Sequence, residues 1–189
     1  MIPQLMERGY VVVDAALPED LAAFLYQSAR QQIALHAHAA GIGREQIHAL
    51  DTSVRQDSIC WLDESDTASA AFLKHMEQLR LQLNEQLFLG LFRYESHFAH
   101  YAPGAFYRRH RDAFKGARNR ILSTVYYLNR DWQPQQGGEL VIYRDDESEL
   151  EKVLPLYNRL VIFLSEEFPH EVLPATRERY SIAGWFRQS

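Results

Sequence analysis

A histidine and an aspartate two positions apart, His110 and Asp112, lie in a strongly basic stretch of the chain. On a β-strand alternate residues face the same side, so the imidazole and the carboxylate would project together. Another histidine, His170, follows a continuous apolar run that is typical of a buried strand. Two histidines and one carboxylate occupy one face of an octahedral ion and leave positions open, as in non-haem Fe(II) centres. Taken alone, the pair is better explained as a surface or turn pair, and the third residue is what favours a metal site.

An arginine at the start of the last predicted strand adds an anion-binding candidate. Arg179 follows His170 by nine residues and, by alternation, shares a strand face with Ser181, Ala183 and Trp185. A buried guanidinium is costly unless it is paired, and its planar fork matches a carboxylate. Arg179 is therefore either exposed at the start of the strand or the anchor of a carboxylate ligand in a cavity.

The composition is that of an ordinary globular chain. The 189 residues are 47% hydrophobic and 24% charged, and the net charge of −5 argues against a nucleic-acid partner. The single cysteine, Cys60, excludes an intrachain disulfide and suits a reducing compartment. The N-terminus lacks a signal-peptide pattern, and no apolar stretch is long enough to cross a membrane. We therefore expect a cytoplasmic location without a membrane partner.

The first half of the chain is predicted to be helical after one short strand in "GYVVVDAAL". One helix is predicted within residues 17–43, with Gly41 as its stop. Another is predicted within residues 65–90, where Ser65 or Asp66 can cap the first turn. Apolar residues recur at helical spacing in the second segment, so one of its faces should be buried.

After residue 90 the pattern changes to short segments that are rich in β-branched and aromatic residues and separated by turn signals. Helices first and strands second predict an α+β chain built on an all-β sandwich or barrel. We expect a single domain over 1–189, with a helical part over 1–90 and a β core over 91–189. The helices should cover one outer face of a sheet.

The segments "STVYYLNRDW", "GGEL", "FPHEV" and "RYSIAGWF", together with the ligand pattern and Arg179, resemble a known family. They are similar to Fe(II)/2-oxoglutarate-dependent dioxygenases, in particular to prolyl hydroxylases of the hypoxia-inducible-factor type and their bacterial relatives. The resemblance extends over nearly the whole chain and is most specific after residue 95. It implies a double-stranded β-helix, which is a jelly-roll or cupin-like barrel, with N-terminal helices packed on one sheet.

The same resemblance implies the cofactors and the residues that bind them. Fe(II) would be held by the two histidines and the aspartate introduced above. The cosubstrate 2-oxoglutarate would bind through its far carboxylate to Arg179 and Tyr127, with its metal-binding end near Tyr101. O₂ is the co-reactant and ascorbate a further cofactor. The animal enzymes have threonine where this chain has Ala183, so we expect a weakened cosubstrate affinity rather than its loss.

A substrate entrance is implied by a second set of residues. The stretch "VRQDSICWL" resembles an Arg–x–Asp–x–x–x–Trp segment of those enzymes, here Arg55, Asp57 and Trp61. The loop over 113–120 is basic and should border this entrance, but a solvated surface loop is a serious alternative for it. Arg120 begins a strand, where a simple flanking charge is the alternative. The residues expected to contact an extended peptide are Arg55, Asp57, Arg120 and Trp185.

The function that the resemblance implies is hydroxylation of a prolyl residue in an exposed loop of a protein, with decarboxylation of 2-oxoglutarate to succinate. Two alternatives stay open at this point. The first is hydroxylation of a small molecule or a free amino acid by the same chemistry. The second is a sensor barrel that binds iron and 2-oxoglutarate but turns over poorly.

Overall fold

The structure, a computed structural model, describes residues 1–40, 51–114, 116 and 119–189. The expected helix stop at Gly41 and part of the loop over 113–120 lie outside these residues. The described helices are α1 (Ile2–Arg8), α2 (Glu19–His36) and α3 (Thr67–Leu87). The described strands are β1 (Tyr10–Val13), β2 (His38–Ala39), β3 (Ser58–Trp61), β4 (Arg93–Tyr101), β5 (Tyr107–His110), β6 (Arg120–Tyr127), β7 (Leu140–Tyr143), β8 (Glu149–Val153), β9 (Leu160–Leu164), β10 (His170–Val172) and β11 (Arg179–Arg187).

The helical half differs from the prediction at two places. Helix α1 was not predicted, because its seven residues, about two turns, have too few apolar positions to show a periodicity. Helix α2 ends at His36 rather than near Gly41, since Ala37 takes an extended conformation and His38 pairs with Ile59 of β3. The predicted cap of α3 is confirmed at Asp66, whose carboxylate accepts a hydrogen bond from the Ser69 amide at 2.9 Å. Within the described ranges, no helix is long and apolar enough to cross a bilayer.

The strands form two antiparallel sheets. The larger sheet has the order β1-β9-β6-β11-β4-β3-β2, and the smaller one has the order β5-β10-β7-β8. The five strands predicted after residue 90 are confirmed as β4, β6, β7, β9 and β11. Strands β5, β8 and β10 were not predicted as strands, because "YRRH", "ELEKV" and "HEV" are short and carry many charges.

Two apolar clusters lie on opposite faces of the larger sheet. One joins buried side chains of the helices, such as Phe72, to Phe98 and Ile182 of the sheet. The other lies between the sheets and includes Tyr127 of the larger sheet and Ile142 of the smaller one. Because both clusters draw on alternate residues of the same strands, the larger sheet is buried on both faces, and its inner face lines the space between the sheets.

Candidate active site

The two histidines and the aspartate identified in the sequence lie together between the sheets. His110 ends β5 and His170 begins β10, and the two are partners in the register of these strands. Asp112 lies two residues beyond the last residue of β5, so the two side chains do not project together from one strand. Its carboxylate oxygens lie 3.5 Å from Nε2 of His110 and 3.6 Å from Nε2 of His170. One ligand atom from each of the three residues lies within 4.8 Å of the others.

Hydrogen bonds to main-chain carbonyls orient both imidazoles. Nδ1 of His110 lies 2.8 Å from the Arg108 carbonyl oxygen, and Nδ1 of His170 lies 3.1 Å from that of Phe168. A carbonyl oxygen only accepts, so each Nδ1 donates, and Nε2 is the nitrogen atom left to ligate a metal. Both Nε2 atoms face Asp112.

The carboxylate of Asp112 is held ionised inside the protein. Burial would raise its pKa, but His170, His110 and the Ser123 hydroxyl together keep that pKa well below the usual value. Ser123 of β6 donates to Asp112 at 2.7 Å and in turn contacts the Ser165 hydroxyl at 2.9 Å. Burial lowers the pKa of His170 to about 4, so this ligand is neutral at pH 7. The donor set of two imidazoles and one carboxylate thus matches Fe(II).

Arg111, between the two ligands of the His–x–Asp motif, ties this segment to the turn that precedes His170. Its Nη1 donates to the carbonyl oxygens of Glu166 and Glu167 at 2.8 and 2.6 Å, and its Nη2 donates to Asp145 at 2.7 Å. The guanidinium therefore fixes the spacing of the two chain segments that carry the ligands.

Replacing Arg111 by glutamine is expected to lower Mn(II) affinity about tenfold, the usual effect of losing an interaction that orients a ligand. Binding would be measured by electron paramagnetic resonance of free Mn(II) during titration. Arg108→Gln is a matched control, because Arg108 is an exposed arginine of β5 that lies three residues before Arg111. Equal affinities in the two variants would show that Arg111 does not position the ligands.

Arg179 is the first residue of β11 in the larger sheet, and it is 1% exposed. Its Nε donates to the Gly138 carbonyl oxygen at 2.8 Å, and the guanidinium carbon lies 5.1 and 5.2 Å from the ring centres of Tyr101 and Tyr127. Within the part of the chain that the structure describes, the buried Arg179 Nη2 and Tyr127 hydroxyl have no hydrogen-bond partner. Burial raises the pKa of Tyr127 to about 12, so its hydroxyl is a donor. Two unpaired donors beside a fixed positive charge fit the carboxylate of a 2-oxoacid.

The four residues predicted at the substrate entrance form two pairs. Arg55 and Asp57 make a two-bonded ion pair, with distances of 2.5 and 2.8 Å. Arg55 also lies over the ring of Tyr107, which stacks on the His110 ring at 3.7 Å and so links this pair to the triad. In the second pair, the Arg120 guanidinium covers the Trp185 ring at 3.8 Å.

His97 is a residue of this site that the sequence analysis did not identify. It is opposite Ala183 in the register of β4 and β11, and its ring contacts the rings of Trp61 and Trp185 at 5.2 and 5.5 Å. Burial, Arg55 and Arg120 lower its pKa to about 4 despite a counteracting effect of Asp57. The signal that could have found it is alternation, because His97 and Tyr101 are four residues apart on one strand.

We expect the metal-free protein to lose stability as the pH falls from about 6.5 to about 4. The pKa of His97 is depressed in the folded state, so the unfolded state binds the proton first, and the stability present above pH 6.5 is lost toward pH 4. The loss attributable to one such buried histidine is at most about 3 kcal/mol. Urea unfolding at several pH values should show a weaker pH dependence for His97→Leu than for the wild type. The same slope in both would contradict a buried neutral His97.

Comparisons with known proteins agree with this geometry. The model of the 2OG-Fe(II) oxygenase superfamily matches residues 96–187. A prolyl-4-hydroxylase of Pseudomonas putida is 42% identical, with coverage of 100% of this chain and 97% of that one and a TM-score of 0.89. A Trichoplax adhaerens prolyl hydroxylase, solved with a peptide fragment of the hypoxia-inducible factor oxygen degradation domain, is 26% identical, with coverage of 99% and 87% and a TM-score of 0.84.

A curated relative aligns over a shorter region. Egl nine homolog 1 of Rattus norvegicus is 38% identical over 85 residues, which are 44% of this chain and 25% of that protein. The chain therefore matches about a quarter of the length of this relative. The matched region of the superfamily model contains all three triad residues, and the bacterial similarity extends from end to end. This chain belongs to the 2OG-Fe(II) oxygenase superfamily.

Proposed function

We propose that this protein is an Fe(II)- and 2-oxoglutarate-dependent dioxygenase that hydroxylates a prolyl residue of a protein or peptide. The observation that carries the proposal is the juxtaposition, between the two sheets, of a His–Asp–His triad on the smaller sheet side with a buried, partly unpaired arginine of the larger sheet. The full-length similarity to a bacterial prolyl-4-hydroxylase supports the substrate class.

The residues fit the roles that this chemistry needs. His110, Asp112 and His170 would hold Fe(II) and leave its remaining positions to the cosubstrate and O₂. Arg179 and Tyr127 would hold the far carboxylate of 2-oxoglutarate. When bound, iron would supply chemistry in which 2-oxoglutarate and O₂ give succinate and CO₂, with one oxygen atom of O₂ entering succinate and the other inserted into a C–H bond of the substrate.

The protein's own part is to orient these groups and to exclude water. Tyr101 is buried, and its ring forms one wall beside the Arg179 guanidinium. Burial raises its pKa well above the usual value, so its hydroxyl remains protonated and can donate to the metal-binding end of the cosubstrate. An apolar wall of this kind strengthens the charge pairing at Arg179, because the local dielectric constant is low.

The substrate would enter between the Arg55–Asp57 pair and the Arg120–Trp185 pair. Both pairs border the triad, the first through Tyr107 and the second through the register of Trp185 with Ser123, which hydrogen-bonds to Asp112. Polar groups beside the half-exposed Trp61 ring suit an extended peptide with a prolyl ring at its centre. The Trichoplax adhaerens prolyl hydroxylase, to which this chain is similar, was solved with a peptide, which supports a peptide as the substrate class.

Several wider features belong to the same proposal. We infer a double-stranded β-helix whose N-terminal helices, within 1–90, pack on the larger sheet of a core over 91–189, all in one domain. Ascorbate would serve as a reductant that keeps the iron in its active state. A cytoplasmic location suits the single buried cysteine, Cys60.

The test is to incubate the protein with a cell lysate, Fe(II) and 2-oxoglutarate and to search the digested peptides for one added oxygen on proline. The protein with Asp112→Ala is the control, since its loss of metal should remove the signal. Efficient hydroxylation of a free amino acid or metabolite, with no oxidised prolyl peptide, would instead favour a small-molecule enzyme. Binding of iron and 2-oxoglutarate without any turnover would favour a sensor.

A further inference from the structure

A buried donor without a partner, the indole N–H of Trp185, lies beside the ring of His97 on the inner face of the larger sheet. The Trp185 side chain is 8% exposed, and its Nε1–H has no hydrogen-bond partner among the residues described. The His97 ring is tilted against it, with 5.5 Å between ring centres, and His97 is 2% exposed. An unpaired buried donor is costly, so a ligand that pairs with it would be bound preferentially.

The hydrogen bond of His97 determines which of its nitrogen atoms is free. Its Nδ1 lies 3.2 Å from the Phe98 carbonyl oxygen, which can only accept, so Nδ1 carries the hydrogen. The ring is neutral at pH 7, since burial and the nearby Arg55 and Arg120 lower its pKa to about 4. Nε2 is therefore a bare acceptor, and it makes no hydrogen bond to any part of the chain that the structure describes.

The neighbouring residues are small between the two rings and hold the rings in place at their outer sides. Ala183 is opposite His97 in the strand register and precedes Trp185 by two residues, so only a methyl group projects between the rings. Arg120 covers the Trp185 ring, and Glu95 holds Arg120 at 3.3 Å. On the other side, the half-exposed Trp61 ring contacts His97 and marks the rim of the entrance.

A ligand that satisfies both groups must offer one acceptor and one donor a short distance apart. A carboxylate has no hydrogen for Nε2 of His97, and an ammonium group has no acceptor for Nε1 of Trp185. An extended peptide has both, because the N–H and the C=O of one residue point to the same side of the chain, and every residue except proline offers this pair. Proline itself lacks the N–H, so the amide would belong to a residue that flanks the target proline.

We infer that His97 and Trp185 read the backbone of the substrate, with Nε1 of Trp185 donating to a peptide carbonyl and Nε2 of His97 accepting from a peptide N–H. The inference rests on the proposed prolyl hydroxylation and specifies how that site selects a peptide. It makes His97 a specificity-determining residue that acts through the main chain and is largely indifferent to the flanking side chains.

The experiment uses synthetic peptides with a central proline and randomised flanks, incubated with the Fe(II)-loaded protein and 2-oxoglutarate. The peptide that is hydroxylated most efficiently is then resynthesised with a single N-methyl group at each flanking amide in turn. Kinetics are measured for the wild type, His97→Leu, His97→Gln and Trp185→Phe. The matched control is His100→Leu, because His100 lies on the opposite face of the same strand, where it bonds to Glu178.

The expected result is a threefold to tenfold rise in peptide KM for His97→Leu, about the effect of one lost hydrogen bond, with a smaller change in kcat. His97→Gln should recover part of this, since its side-chain oxygen can accept. N-methylation of one particular amide should raise the peptide KM of the wild type by a similar factor, and should raise the peptide KM of His97→Leu less than twofold. Trp185→Phe keeps the aromatic ring and should raise KM for all the peptides.

Other outcomes would distinguish a failure of the backbone contact of His97 and Trp185 from a failure of the proposed prolyl hydroxylation. If the wild type hydroxylates a peptide and His97→Leu has the KM of His100→Leu, the backbone-reading pair is wrong and the proposed function stands. The pair is also wrong if the effects of His97→Leu and of N-methylation multiply at every position. If the wild type adds oxygen to no proline in the library, prolyl hydroxylation itself is wrong and the inference falls with it.

Discussion

An Asp112→Ala variant is expected to bind Fe(II) at least about a hundredfold more weakly than the wild type. Changes to residues that only orient a metal ligand already lower the metal affinity tenfold to a hundredfold, and this change removes a ligand itself. It also removes the only negative charge of the triad and leaves two neutral imidazoles, which compensate no part of the charge of a divalent ion. The Ser123 hydroxyl, which donates to Asp112, is neutral and cannot replace the lost carboxylate charge.

The measurement is metal content after dialysis against limiting Fe(II) under anaerobic conditions, supported by titration with Mn(II). Asp146→Ala is a suitable control, because Asp146 is an exposed carboxylate in the turn between β7 and β8. Retention of one ion per chain in Asp112→Ala would place the metal site elsewhere.

An Arg179→Lys variant is expected to raise the KM for 2-oxoglutarate about tenfold to a hundredfold. Lysine keeps the positive charge, but it lacks the planar guanidinium. It therefore cannot donate to the Gly138 carbonyl oxygen and at the same time form two parallel hydrogen bonds to a carboxylate. A hydrogen bond to a charged group contributes roughly 1.5–3 kcal/mol, which corresponds to that range. Tyr127→Phe removes one neutral donor and should have a smaller effect, about twofold to tenfold.

Succinate formation without any peptide measures this KM independently of the substrate. Circular dichroism should first show that the variant is folded, because Arg179 is among the largest fully buried side chains of the described protein. A KM equal to that of the wild type would remove Arg179 from the cosubstrate site.

The long strands and the two long helices could be predicted because each carries its own periodicity. Strands β5 and β10 could not, although they hold the two histidines, since their few polar residues become strands only by pairing with each other and with β7. The meeting of His110 with His170 depends on that register, which has no local signature in the sequence. That the two histidines belong to one site was predicted instead from the resemblance of the motif segments to a family.

His97 and the entrance pairs show a second limit. Residues 96–99 of β4 are all buried, so both faces of this strand are covered. Alternation along the strand shows that His97 and Tyr101 share a face, but it does not show that this face is the one between the sheets. The sequence also gives no sign that Arg55 and Asp57 pair with each other rather than with a ligand. Their neighbours come from distant parts of the chain, and only the folded arrangement specifies them.

The hydrogen bond between Asp112 and Ser123 crosses from one sheet to the other. The two histidines belong to the smaller sheet, whereas Ser123 belongs to the larger one, so an ion at the triad would connect the two sheets through Asp112. A ligand that binds only the native form shifts the folding equilibrium by mass action, by about 2.7 kcal/mol at a hundred times its dissociation constant. For a chain of this size that corresponds to a rise in melting temperature of about 5–10 °C. Chelators in the purification buffer would then give a protein that is more easily proteolysed, and metal-dependent thermal shift would report binding at this site without any knowledge of the substrate.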